Sequence, residues 1–276
     1  MSVISAIFLG LIQGAAEFLP ISSSGHLSIL QNLFGVETAE GHMLFDVMLH
    51  AGTLISVCVV YWKDIVSLVR EFFAMLGDIR NPKPRDKEAM TYRRLIVMVV
   101  LSTLPLIIVL PVKRYIEQLY YNTAFVGFAL ILTGCMLYVS DKMVQGRKEA
   151  RTMTVRDALL IGLCQAVTTI PGISRSGSTI TAGIACGEKR EFAVKYSFLI
   201  SLPATIGAIL LSIIDAIKAD SEITVLPYVI GALVAATVGI AAIKLVQLLT
   251  KKGEFGKFSW YCWGVGALAI ILSIIL

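Results

Sequence analysis

Charged side chains are scarce in this chain. Asp, Glu, Lys and Arg make up 16% of its 276 residues, against about 25% in soluble domains. Apolar residues make up 57% and the mean hydropathy is +0.80. Several apolar runs reach the roughly 20 residues that cross a bilayer, which excludes a soluble globular domain. Long polar stretches are also lacking, so no separate soluble domain is expected. The longest, Lys63 to Arg94, holds its own apolar helix-like part and an Asn-Pro-Lys-Pro-Arg turn. Cysteine pairs are absent: Cys58, Cys135, Cys164, Cys186 and Cys262 stand apart with no C-x-x-C spacing. That excludes a thiolate metal motif and leaves them as small core residues. A basic start and a small-residue cleavage pattern are missing from the N-terminus, so no removable signal is expected. The net charge of +5 reads as membrane topology rather than as a nucleic-acid surface, and no nucleic-acid partner is expected.

What is present is a phrase written twice. Gly10 to Gly25 reads G-L-I-Q-G-A-A-E-F-L-P-I-S-S-S-G, and Gly162 to Gly177 reads G-L-C-Q-A-V-T-T-I-P-G-I-S-R-S-G. At an offset of 152, Gly10, Leu11, Gln13, Ser22, Ser24 and Gly25 meet Gly162, Leu163, Gln165, Ser174, Ser176 and Gly177. Pro20 and Pro171 miss by one position. A broken helix repeated in corresponding places of an apolar chain points to a polar site between two halves.

Six apolar runs are long enough to span: about Met43–Trp62, Leu95–Leu110, Thr123–Ser140, Ser197–Ile217, Val225–Leu249 and Phe258–Leu276. Four shorter runs, about Val3–Phe18, Leu27–Phe34, Ala158–Ile170 and Ile180–Cys186, pair around the two repeated loops and read as re-entrant. A re-entrant hairpin returns to its own side, whereas three spans change sides. The second half therefore begins on the opposite side. The expected fold is all-α: one polytopic membrane domain over residues 1–276. It comprises two inverted-topology repeats (about 1–142 and 152–276), two re-entrant helical hairpins and about six full transmembrane helices.

The basic residues agree with that layout. Four alternate loop regions, 63–94, 142–156, 189–195 and 251–257, hold 19 Lys and Arg, and the opposite loops hold only Lys113, Arg114 and Lys218. The positive-inside rule puts the first set in the cytoplasm and both termini, with the mouth of the first hairpin, outside.

Glu17 closes the first half-helix, with Gln13 one turn earlier on the same face. A carboxylate deep in a bilayer costs about 2.5–3.5 kcal/mol even on the gentlest scale, so Glu17 needs a cation or a wet cavity. Ser22, Ser23, Ser24 and Gly25 can gather backbone N–H groups on an anion or cap the run at Leu27, and one geometry serves both. His26, just after them, has the chemistry to activate a serine or protonate a leaving group. His42 falls in an outside loop, and His50 shares a helical face with Asp46 that could line a cavity. In the second loop Arg175 stands between Ser174 and Ser176, with Thr179 one turn on. A guanidinium forks onto phosphate, and hydroxyls fill the remaining oxygens. The Gly/Ala run Gly231–Ala242 reads as helix packing.

These motifs resemble the undecaprenyl-diphosphate phosphatase family, membrane enzymes linked to bacitracin resistance. The likeness covers essentially the whole chain. It rests on Gln13-x-x-x-Glu17, Pro20-Ile-Ser-Ser-Ser-Gly-His26 and Pro171-Gly-Ile-Ser-Arg-Ser-Gly-Ser-Thr179, with Phe45–Thr53 and Tyr196–Pro203 in the family's style. The resemblance implies hydrolysis of a C55 polyprenyl diphosphate to the monophosphate, which recycles the lipid carrier of cell-wall synthesis. It implies a bacterial plasma-membrane location, a site open to the outer face and a divalent cation, Mg²⁺ or Ca²⁺. It also implies roles for Glu17, Ser22, Ser23, His26, Ser174, Arg175 and Thr179. Many members carry a second glutamate where this chain has Gln13, which can coordinate through its carbonyl but cannot act as a base.

On that footing Glu17, Ser23, His26 and Arg175 are the expected catalytic residues. Gln13, Ser22, Ser24, Ser174, Ser176 and Thr179 are expected to contact substrate, and Glu17 to hold the cation. The nucleophile is either Ser23 assisted by His26 or a water. The expected partners are a polyprenyl diphosphate lipid and the bilayer, with a second copy of the chain as a candidate. The rival reading is a secondary transporter or flippase of a phosphorylated lipid, because inverted repeats with half-helices are also transporter architecture.

Overall fold

The computed structural model describes residues 2–34, 43–79, 84, 86–218 and 225–275. Among these residues the chain is helical, with no strand beyond an isolated bridge between Lys148 and Glu188. Helices α1 (Val3–Ala16) and α2 (Ser23–Phe34) form a hairpin, followed by α3 (Met43–Val60) and α4 (Trp62–Asp78). Then come α5 (Lys87–Thr103), a 3-10 segment (Leu104–Val112), α6 (Lys113–Leu119) and α7 (Thr123–Lys142). A second hairpin, α8 (Val155–Val167) and α9 (Arg175–Ala185), precedes α10 (Arg190–Lys218), α11 (Val225–Lys252) and α12 (Lys257–Ile275).

Among the described residues five helical stretches are long and apolar enough to cross a membrane: Lys87–Leu119, Thr123–Lys142, Arg190–Leu210, Val225–Lys252 and Lys257–Ile275. The pair Val47–Val60 and Trp62–Asp78, bent by 91°, makes a sixth if taken as one broken span. The chain is a multi-pass membrane protein, and many large apolar side chains face outward, among them Ile4, Ile107, Ile108 and Ile274.

Two expected spans differ in their ends. The run Met43–Trp62 forms one helix, α3, which stops at Val60, and the chain then turns sharply into α4. The cause lies in α4 itself. Asp64, Glu71 and Asp78 recur every seven residues on one face and receive Lys195 and Arg93. Val66, Val69, Phe73 and Leu76 lie exposed on another face. A helix with an acidic stripe does not continue α3 into hydrocarbon. The run Leu95–Leu110 is part of a longer element: Pro105 and Pro111 contribute no backbone N–H, and the helix passes through them as a 3-10 segment before resuming as α6.

Polar contacts gather the four basic loop regions at one end of the bundle. Lys195 pairs with Asp64, Arg190 with Asp141 at 3.5 Å and Lys251 with Glu191 at 3.3 Å. Arg94 donates to the Met153 carbonyl at 2.6 Å and Arg151 to Thr91 Oγ1 at 2.8 Å. The second hairpin opens at this end, where Thr154 and Asp157 form a capping box for α8 and Lys148 pairs with Asp157 at 2.8 Å. The first hairpin opens at the other end. There Ala6 and Leu9 pack with Phe45 and Tyr228, near the starts of α3 and α11. On the same side Asn32 of α2 donates to the Tyr120 carbonyl at 2.8 Å.

The first helix of each hairpin packs on a span of the other half, α1 on α11 and α8 on α5. The repeated glycine makes both contacts close. A Cβ on Gly10 would stand 2.6 Å from the Gly231 carbonyl oxygen, and one on Gly162 would stand 2.4 Å from that of Ser102. Small residues let membrane helices approach to this degree.

Candidate active site

The site is built where the two hairpin turns touch. The serines expected in loops begin helices instead. Ser22 Oγ accepts from Gly25 N at 3.2 Å, and Ser174 Oγ accepts from Gly177 N at 3.1 Å. Ser22 and Ser24 hydroxyls lie 3.3 Å apart, as do those of Ser174 and Ser176. The repeated phrase is thus a repeated cap, and the helices start at Ser23 and Arg175 rather than at Leu27 and Ile180. The turns themselves differ. The left-handed residue is Ser22 (φ 66°) in the first and Gly172 (φ 92°) in the second, which goes with the one-position slip of the prolines. A Cβ on Gly25 would lie 2.9 Å from Gly172 Cα, so only glycine lets the turns meet there. Ser176 Oγ also donates across to the Leu19 carbonyl at 3.3 Å.

Glu17 is the hub. Its Oε1 accepts from Arg175 Nη2. Its Oε2 accepts from Ser23 Oγ at 3.0 Å and from Gln13 Nε2 at 3.1 Å. Arg175 Nη1 donates to Thr205 Oγ1 of α10 at 3.0 Å. The Glu17 side chain is 7% exposed and that of Arg175 25%. Gln13 is 1% exposed; its Nε2 also lies 3.5 Å from His50 Nε2, and its Oε1 is buried with no hydrogen-bond partner. Among the described residues no group of three or more His, Cys, Asp or Glu is placed to hold a metal ion. His42 and the side chain of Asp46 lie outside the described residues.

The expected residues divide into four groups. Glu17, Gln13, Ser23 and Arg175 are directly linked. Ser22, Ser24, Ser174 and Ser176 form the helix starts around them. Thr179 Oγ1 donates to the Arg175 carbonyl at 2.8 Å and lies 2.6 Å from Ser197 Oγ, which fixes the turn carrying the guanidinium. His26 stands apart from the expected pairing with Ser23, whose hydroxyl bonds Glu17. His26 Nδ1 lies 2.8 Å from the Ser22 carbonyl, and Nε2 lies 2.8 Å from Tyr261 Oη. Sequence reasoning missed Thr205, Tyr261 and Thr133, whose Oγ1 accepts from Ser174 N at 3.1 Å and donates to the Gly172 carbonyl at 2.9 Å. Only Ser197, within Tyr196–Pro203, lay in a stretch with a signal.

The class these features define is a polytopic helical membrane protein in which two broken hairpins meet at a guanidinium, a carboxylate and paired serine caps. The chain matches the family described as Bacitracin resistance protein BacA over residues 6–268, and it belongs to that family. Relatives named undecaprenyl-diphosphatase are similar along their full length. That of Methanosphaera stadtmanae is 38% identical over 280 residues, covering 100% of both chains. That of Halothermothrix orenii is 39% identical over 275 residues, 99% of each. That of Alkaliphilus metalliredigens is 37% identical over 278 residues, 100% of each.

Proposed function

We propose that this protein hydrolyses undecaprenyl diphosphate to undecaprenyl phosphate and inorganic phosphate, which returns the lipid carrier to cell-wall synthesis and confers resistance to bacitracin. The observation that carries the site assignment is the chain Arg175–Glu17–Ser23, which joins the two hairpins through one carboxylate. Family membership and full-length relatives named for this reaction support the activity. The transporter reading is not favoured, because those relatives carry the name of a phosphatase.

Arg175 turns the N–H groups left over from Glu17 and Thr205 onto the terminal phosphate. Ser23 Oγ attacks the terminal phosphorus and the bond to the bridging oxygen breaks. The hydroxyl proton passes to Glu17 Oε2, its present acceptor, and the prenyl phosphate leaves as an anion. A water then cleaves the phosphoserine and releases inorganic phosphate. His26, one turn along α2, belongs to the acid–base set. Mg²⁺ usually binds through one or two carboxylates plus substrate phosphates, and the Glu17 carboxylate with the orphaned Gln13 Oε1 fits that pattern. These two residues would hold the cation, which neutralises the diphosphate when bound.

The two halves form inverted repeats, about 1–142 and 152–276, within one membrane domain. The basic end lies in the cytoplasm and the first hairpin opens to the outer face of the plasma membrane. The test is phosphate release from C55 diphosphate by pure protein in detergent, without any gradient, with and without chelator. Stoichiometric phosphate and monophosphate, lost on chelation, are expected. Absence of phosphate release with added Mg²⁺ and Ca²⁺ overturns the reading.

A further inference from the structure

We propose that Tyr261 is a positioning residue for His26, holding the imidazole's ring plane and hydrogen-bonding its Nε2; this rests on the reading that His26 takes part in the reaction. A carbonyl oxygen only accepts, so the 2.8 Å contact with the Ser22 carbonyl puts the proton on Nδ1. In the neutral ring Nε2 is then the acceptor, and Tyr261 Oη, 2.8 Å away, donates to it. The two rings are also stacked, with centroids 5.5 Å apart and planes 9° from parallel. One bond along the ring edge and one face contact leave the imidazole no free rotation.

Tyr261 is not there to fill the core, being 46% exposed. It arrives from α12, whose main packing partner is α7. Its neighbour Cys262 is fully buried and its Sγ lies 3.6 Å from the Pro20 carbonyl. That contact pins α12 against the first hairpin turn and holds the phenol over His26. A residue 235 positions from the histidine thus holds the basic nitrogen that the Ser22 carbonyl leaves on the other side of the ring.

The test compares wild type, Tyr261→Phe, His26→Ala and the double variant for phosphate release at high enzyme concentration. It adds ¹⁵N-histidine spectra, which are tractable because the chain has 3 histidines. Tyr261→Phe keeps the stacked ring and removes only the hydroxyl. It should lower kcat about fivefold to tenfold, the worth of one hydrogen bond, with KM within about twofold. It should cost nothing further in the His26→Ala background, and the His26 Nε2 ¹⁵N shift should move from its wild-type value as that nitrogen loses its donor, while Nδ1 stays protonated. Wild-type kinetics and unchanged ¹⁵N shifts in Tyr261→Phe, or an equal loss with and without His26, overturn the proposal. Full activity of His26→Ala instead overturns the acid–base role of His26, and the positioning role with it.

Discussion

Glu17 serves three donors at once, Arg175, Ser23 and Gln13, while Arg175 is itself steadied by Thr205. Thr205→Val keeps the side-chain shape and removes the hydroxyl. A hydrogen bond to a charged group is worth about 1.5–3 kcal/mol. Thr205→Val should therefore lower kcat by about tenfold or more and also lower the melting temperature, measured by phosphate release beside a melting curve. Arg175→Lys keeps the charge but loses the planar fork, and a loss of about 10²-fold in kcat is expected, in the range of other charge stabilisers. A carboxylate without hydrogen bonds lies outside the spans. Glu188, in the α9–α10 turn, is fully buried with neither oxygen hydrogen-bonded. Burial, then the charge of Asp157, pushes its carboxyl up from 4.5 to about 8. The folded state thus holds this proton more tightly than the unfolded chain. Its stabilising share is complete below pH 4.5 and is lost as pH rises through about 8. Melting temperature across that window should fall less in Glu188→Gln than in wild type.

At the scale of elements, the re-entrant helices depend on close backbone approach. Gly162→Val drives a branched side chain into the Ser102 carbonyl of α5. The expected cost is about 1–3 kcal/mol by overpacking, read as a lower melting temperature in detergent. The hairpins are legible in the amino-acid sequence because the phrase containing Gly10 and Gly162 occurs twice and its apolar runs are too short to span. Their boundaries are not. Serine and arginine read as loop residues by composition, yet Ser22 and Ser174 cap, so the motif residues after them fall in the first helical turns. The end of α3 is legible too, because the apolar run stops at Trp62 and a polar stretch with its own helix-like part follows. The sharpness of the turn is not, since it goes with the pairing of Asp64, Glu71 and Asp78 to distant Lys195 and Arg93.

Over the whole molecule, two hairpins opening at opposite ends of the bundle bring residues 158 positions apart into one ion pair. The repeat and the lopsided distribution of Lys and Arg make that arrangement readable, because both follow from the constraint that a bilayer places on topology. Thr205, Thr133 and Tyr261 are not readable. Each is a single polar residue on a long apolar helix, and nothing local distinguishes a site contact from an ordinary one. The central claim is that the Glu17–Arg175 junction is the reaction centre. Phosphate release from C55 diphosphate by purified Glu17→Ala and Arg175→Ala, each monodisperse in detergent, tests it most directly. Both variants should fall by about 10² or more relative to wild type; a wild-type rate in either one contradicts the account.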